Sequence, residues 1–275
     1  MLSRFSWALA IAIAAIASSA RAEILFSDNF NSTGDASAYS DYGLNQEQGV
    51  RQSGTYAGTL YRNPSYSQFR DSKAPQVNNA SHAGALAFIQ GAGDWCSGFT
   101  LLNRDFGVGA QGIQVSVTTT PDIGTGWSCL GMLGGDYSPG HKELPSATDV
   151  GAVLLVKAGG GWNFASNGSY LLGGSVTPST TYDLTMQVTN NGSGNVLNAW
   201  IGSTQIVTDY ALTGAAATRT TNYISIGAQL CTYDGAKAYS FDNLTVQTAP
   251  VPEPGTLALL AAGLIGLVAY AWRKR

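Results

Sequence analysis

Apolar and polar residues alternate with a period of two along much of the interior of the chain. Ile113, Val115 and Val117 alternate with Gln114 and Ser116, and Tyr182, Leu184, Met186 and Val188 alternate with Asp183, Thr185 and Gln187. Ile206, Thr208, Tyr210 and Leu212 hold one face of another run, and Tyr223-Ile224-Ser225-Ile226 opens a further one. Each pattern predicts a strand with one face on a core and the other in water, as in antiparallel sheets. Turn residues punctuate the runs. Asn190-Asn191-Gly192-Ser193-Gly194 reads as a hairpin connection, Gly159-Gly160-Gly161 and Gly173-Gly174 mark further turns, and Gly134-Gly135 precedes a looser loop over 136–148. No segment between the two ends has helical periodicity, so the expected fold class is all-β, a sandwich or a barrel.

Segment 36–80 interrupts this picture. It is rich in Tyr, Ser, Gln, Asn and Gly with few aliphatics, and only Tyr56–Tyr61 has a strand-like pattern. The remainder is expected to be long loop, which is uncommon in a compact domain.

Both ends carry apolar runs of a different kind. Trp7–Ala17 follows Arg4 and precedes Ala20-Arg21-Ala22, an A-x-A cleavage signature. Residues 1–22 therefore read as a signal peptide, with the mature chain starting at Glu23. At the other end Thr256–Trp272 gives about 17 residues, the lower limit for a bilayer-spanning helix. Arg273, Lys274 and Arg275 follow as a membrane stop that the positive-inside rule keeps cytoplasmic. The body is expected over 23–247 and the tail over 248–275, with a transmembrane helix at about 256–272.

Charged residues make up 11% of the chain, far below the usual quarter, and the net charge is −3 with no basic patch. That balance argues against nucleic acid as a partner. Cys96, Cys129 and Cys231 are an odd number of cysteines without CxxC spacing, which makes zinc improbable and predicts one disulfide and one remaining thiol. If strands alternate between the two ends of a sandwich, Cys96 and Cys129 begin strands at the same end. Cys231 then finishes a later strand at the opposite end. A bridge needs Cα atoms within about 7 Å, which favours Cys96–Cys129.

The order of strand-like pieces carries a resemblance. Gly84–Ile89, Gly93-Asp94-Trp95, Gly112–Val117, Thr181–Leu184, Ala199–Gly202, Ile224–Gly227 and Phe241–Val246 are similar to the strands of laminin-G-like, concanavalin-A-like jelly rolls. The resemblance implies a two-sheet antiparallel jelly-roll sandwich whose first and last strands lie side by side. Fold alone does not imply function. Phe26-Ser27-Asp28-Asn29-Phe30 opens the body and Phe241-Asp242-Asn243-Leu244 closes it, so Asp28, Asn29, Asp242 and Asn243 are candidate oxygen ligands for calcium. The alternative is that they cap strand ends through Asx-type hydrogen bonds.

Catalytic signatures are sparse. A jelly-roll glycosidase of the laminarinase type places acids on alternate residues of one strand, and no two acidic residues here stand two or four apart. Acids from separate strands remain an alternative. His82 and His141 lie in polar, loop-like sequence without a G-x-S-x-G elbow, and the glycine clusters lack the G-K-[ST] of a phosphate loop. Trp95, Trp127, Tyr137, Trp162 and Tyr233 lie near predicted loop ends, where aromatic faces could stack on sugars or simply plug the sandwich edges. Asp94, Asn163 and Asp234 stand beside them.

Pro252-Glu253-Pro254, the hydrophobic stretch and the terminal basic cluster together resemble the PEP-CTERM sorting signal of Gram-negative bacteria. The resemblance implies processing by exosortase near the motif and a place among surface or matrix proteins of exopolysaccharide producers. The combined expectation is a non-enzymatic exported protein, held first in the inner membrane with its body in the periplasm. No cofactor is expected apart from the calcium candidate. A lectin-like domain and a jelly-roll glycosidase are the alternatives.

Overall fold

A computed structural model describes residues 22–30, 40–41, 59–60, 66–70, 76–79, 82–90, 96–102, 104–109, 111–121, 126–134, 150–230, 237–249 and 271–273. Residues 24–249 form one compact unit. In chain order its first strands are β1 (Ile24–Asp28), β2 (Ser40–Asp41), β3 (Thr59–Leu60), β4 (Tyr66–Arg70), β5 (Gln76–Asn79) and β6 (His82–Gln90). The middle of the chain forms β7 (Cys96–Leu102), β8 (Ile113–Pro121), β9 (Trp127–Gly134), β10 (Val150–Val156), β11 (Gly161–Ser166) and β12 (Ser169–Ser175). Then come β13 (Tyr182–Asn190), β14 (Asn195–Ile201), β15 (Thr204–Ala211), the short helix α1 (Gly214–Thr218), β16 (Tyr223–Leu230) and β17 (Lys237–Thr248).

These strands make two sheets. The first is nine-stranded, ordered β15-β14-β13-β8-β17-β6-β5-β3 with β1 also paired to β17; the second is eight-stranded, ordered β12-β11-β10-β9-β16-β7-β4-β2. Pairing is antiparallel except between β2 and β4. The expected all-β two-sheet sandwich is thus the observed fold. Burial alternates strictly along β8, and β13 and β14 follow the same period. Val115, Leu184, Met186 and Leu197 of the first sheet meet Leu130, Met132, Leu154 and Phe164 of the second in one core. The first and last strands do lie side by side, with Ser27 opposite Thr245 and Asp28 opposite Leu244.

β9 and β10 depart from alternation because both their faces are covered. Leu130, Met132, Leu154 and Val156 enter the inter-sheet core, while Cys129, Val153 and Leu155 join a second apolar cluster with Phe99 and Leu101. A strand buried on both faces reads as a continuous apolar run, as Val150–Val156 does.

Several expectations are corrected. The 36–80 segment contains β2 to β5; β4 pairs with β7 and β5 with β6, so backbone pairing to neighbours overrides a composition that looked loop-like. His82 likewise starts a strand, β6. Gly173 and Gly174 are not a turn but lie inside β12, where a Cβ on Gly173 would collide with the Asn163 side chain and one on Gly174 would stand 3.1 Å from the Trp162 ring. The turn is at Asn167-Gly168, both at positive φ (48° and 76°), the pairing that a two-residue hairpin favours. Along β15 the buried residue is Val207, not Thr208, because the β14–β15 register shifts twice and Asp209 takes φ 44°.

The strand parity behind the Cys96–Cys129 expectation is right and the bridge is not. β7 and β9 do run in the same direction, since each is antiparallel to β16, but β16 lies between them. Cys129 pairs with Gly227 and Cys96 with Leu230, so the two cysteines are two strands and three residues apart. That places their Cα atoms about 14 Å apart from the standard strand spacing and rise, twice the reach of a disulfide. The end of β16 is also at the Cys96 end of the sheet, not the opposite one. Cys231 lies outside the described residues.

Candidate functional site

The two outer faces of the sandwich differ. On the second sheet Phe99, Leu101, Cys129, Val153 and Leu155 are all 7% exposed or less, so this face is a buried apolar layer. On the first sheet most outward residues of β8, β13, β14 and β17 are polar, and they are half-buried or exposed. Cross-strand register lines them into rows. Gln205, Trp200, Thr185, Ser116 and Thr245 form one row, and Asn198, Gln187, Gln114 and Gln247 form the next. Asn198 is fixed by its neighbours: its Oδ1 accepts the Asp209 N–H at 2.8 Å and the Gln205 Nε2 at 2.9 Å. Trp200 is half-buried on this face and outside both apolar clusters. A flat row of amides and hydroxyls beside an indole offers neutral hydrogen-bond donors and acceptors next to one aromatic surface.

A third row on the same face holds two acids. Asp183 and Asp242 flank Thr118 on either side, with Cα atoms about 10 Å apart by strand spacing. The Thr118 hydroxyl donates to Asp183 Oδ1 at 2.7 Å. Acids from separate strands therefore do share a face. A glycosidase general acid needs a desolvated carboxyl group, and Asp183 is exposed on an open sheet.

Two of the aromatic residues singled out from the sequence are described. Trp127 packs against the second apolar cluster, with the Lys157 ammonium 5.0 Å from its ring centroid. Trp162 packs on the main core and lies over Gly174. Both are half-buried edge plugs. Trp95, Tyr137 and Tyr233 lie outside the described residues, as do Asp94, Asp234 and His141. Trp200 was not expected as a surface aromatic; its place in the Val196-Leu197-Asn198-Ala199-Trp200 alternation, opposite in phase to the buried Leu197 and Ala199, is the signal that finds it.

Of the calcium candidates, Asp28, Asn29 and Asn243 line one shallow pocket with Ser27, Leu244 and Thr245, and Asp242 does not. Asp28 Oδ1 accepts the Phe30 N–H and Asp242 Oδ1 the Asn243 N–H, each at 2.7 Å. Asp28 thus already serves a local backbone turn, the Asx-type role, while Asp242 accepts from the next residue along. Among the described residues no group of three or more His, Cys, Asp or Glu side chains is placed to hold a metal ion.

The sandwich ends at Ala249, whose N–H donates to the Gly112 carbonyl at 3.0 Å. Of the tail, residues 271–273 are helical and exposed. Pro252, Glu253, Pro254, Lys274 and Arg275 lie outside the described residues, as do the signal peptide and most of the expected membrane span. Among the described residues no helix is long and apolar enough to cross a membrane.

A protein of unknown function with a galectin-like fold from Bacillus subtilis is similar to this chain at 11% identity and a TM-score of 0.50, covering 84% of this chain and 98% of its own. The Emp47p carbohydrate recognition domain matches at 11% identity and a TM-score of 0.48, over 68% of this chain and 90% of its own. Lectin II from Ulex europaeus matches at 7% identity and 0.49, over 70% and 97%. At these identities the likeness is one of fold. No curated protein matches the sequence. Residues 250–275 match the PEP-CTERM protein-sorting motif. The chain is therefore a two-sheet β-sandwich, similar in fold to a galectin-like protein, whose residues 250–275 match the PEP-CTERM protein-sorting motif.

Proposed function

We propose that this is a non-enzymatic surface or matrix protein that reaches the outside of the cell through its tail and associates there with exopolysaccharide. Residues 1–22 direct export, and 256–272 hold the chain in the inner membrane with the sandwich in the periplasm. Exosortase then processes it near Pro252-Glu253-Pro254, and Arg273, Lys274 and Arg275 stay on the cytoplasmic side. The observation that carries this reading is the sorting motif beginning at residue 250, one residue beyond the last backbone hydrogen bond of the sandwich. In a strain carrying exosortase, the Glu253→Ala chain is expected to accumulate unprocessed in the membrane fraction. Normal processing and release of that variant would overturn the proposal.

A second reading, a specific carbohydrate-binding body, is favoured by one observation. The outer face of the first sheet sets Trp200 among uncharged amides and hydroxyls, the chemistry that stacks on and hydrogen-bonds to sugar rings. It is tested by retention of the full chain on the host exopolysaccharide. Trp200→Ala is expected to weaken retention at least tenfold, and unchanged retention removes this reading.

A further inference from the structure

β13 begins and β14 ends at one rim of the first sheet, where the Gly202 N–H donates to the Asp183 carbonyl at 2.8 Å. Two connections meet at that rim. Residues 176–181 lead from β12 into β13, and the turn Gly202-Ser203 joins β14 to β15. Between them lies an open pocket of about 320 Å³, lined among others by Thr177, Ser179, Thr181, Asp183, Ser203 and Thr204. That size is at the small end of ligand sites, which run from roughly 300 to 1,000 Å³. The first connection is fixed by its own contacts: the Ser179 N–H donates to the Tyr182 hydroxyl at 2.9 Å, and Ser179 Oγ accepts the Thr181 N–H at 3.3 Å.

The chemistry of the lining says what fits there. Thr177, Thr181, Ser203 and Thr204 are exposed, and among the described residues nothing hydrogen-bonds their hydroxyls. Asp183 Oδ1 accepts from Thr118 at 2.7 Å, and its Oδ2 receives no donor among the described residues. A carboxylate oxygen only accepts, whereas a Ser or Thr hydroxyl both donates and accepts. The set matches a ligand that presents several hydroxyls close together. No Lys or Arg lines the pocket, so an acidic sugar would face Asp183 uncompensated. Like charges opposed in this way turn a partner away. The pocket also adjoins the face that carries Trp200. Trp200 stands two residues before Gly202 on β14, about 7 Å along the strand, and its cross-strand neighbour Gln205 directly follows Thr204. One glycan can therefore reach both.

We infer that this pocket is a subsite for a neutral sugar ring, part of a glycan whose neighbouring ring stacks on Trp200. Asp183 accepts from the ring hydroxyls, and Thr181, Ser203 and Thr204 exchange hydrogen bonds with the others. Sugars that bear carboxylates are excluded. The inference rests on the carbohydrate-binding reading of the body, and adds to it a second point of contact and a preference in charge.

The test measures retention of the full chain, in detergent micelles, on the host exopolysaccharide. The polysaccharide is used native and after carbodiimide–borohydride reduction of its uronic acids to neutral sugars. Asp183→Asn is expected to weaken retention at least fivefold. The Thr181→Leu/Ser203→Leu double variant, which fills the pocket from two exposed positions, is expected to weaken it at least tenfold. Asp242→Asn removes a charge from the same row outside the pocket and is expected to stay within twofold of the parent. Carboxyl reduction of the polysaccharide is expected to leave retention equal or stronger. If Trp200→Ala loses retention while both pocket variants keep it, the carbohydrate-binding reading stands and this inference falls. Loss of parent retention on the reduced polysaccharide also overturns it, and a parent chain retained on neither form removes both.

Discussion

Asp28 lies opposite Leu244 across the pairing of the first and last strands, and its carboxylate receives the Phe30 N–H at 2.7 Å. This small turn lets Phe30 adopt φ 52° and bury its ring completely. A left-handed conformation costs a bulky residue about 1–2 kcal/mol, so the turn and the burial must offset it.

Asp28→Ala is accordingly expected to lose about 1.5–3 kcal/mol, the worth of a charge-assisted hydrogen bond, while Asp28→Asn, which keeps the acceptor, loses less. Urea denaturation of both variants separates the two roles considered for this residue. A calcium ion bound there would make the two substitutions comparably damaging and would raise the melting temperature on addition of the metal.

Asn195 is buried and spends its whole amide. Its Nδ2 donates to the Ala216 carbonyl at 2.9 Å and the Arg219 carbonyl at 2.7 Å, holding the C-terminal end of α1, while its Oδ1 accepts from Asn190 at 3.1 Å. Asn195→Ala leaves these partners unsatisfied and is expected to cost about 1–3 kcal/mol. A shift in denaturation midpoint with an unchanged slope would show the loss as one of stability; no shift would mean that water replaces the amide.

Gly173→Ala pushes a methyl group into the Asn163 side chain and is expected to destabilise by about 1–3 kcal/mol, the usual penalty of overpacking. In an Asn163→Ala background most of that loss should disappear. Additive losses in the double-mutant cycle would mean that the glycine is needed for its backbone and not for the space above it.

Non-reducing peptide mapping of the exported protein is expected to find no Cys96–Cys129 cross-link, because β16 separates the two strands. Recovery of that linked pair would require a strand order different from the one described.

The contrast between legible and illegible parts has a physical cause. β8, β13 and β14 were readable because each has one face in the core and one in water, so period two is written directly into the residues. The hairpin at Asn190–Gly194 was readable for the same kind of reason, its turn chemistry being local. β4 and β5 were not, since Tyr66–Arg70 and Gln76–Asn79 are strands by virtue of the neighbours they pair with. α1 is one turn of Gly-Ala-Ala-Ala-Thr, too short to show a helical period. Gly173 and Gly174 misled because a glycine pair signals a turn unless a neighbouring side chain claims the space, and that neighbour is known only once β11 and β12 are paired. Among the site residues, Trp127 and Trp162 stand near loops in the sequence and are half-buried against the two apolar clusters. Trp200, inside a strand, was the one that alternation turned outward.

The strand that ends at the sorting motif is β17, which lies inside its sheet between β8 on one side and β6 with β1 on the other. Tension applied through the tail, before or after processing, therefore enters along the axis of an interior strand and loads its ladders in shear. An edge strand would be peeled one hydrogen bond at a time; this one must slip past its neighbours together. A pull on the tail thus meets a strand bonded along both of its edges.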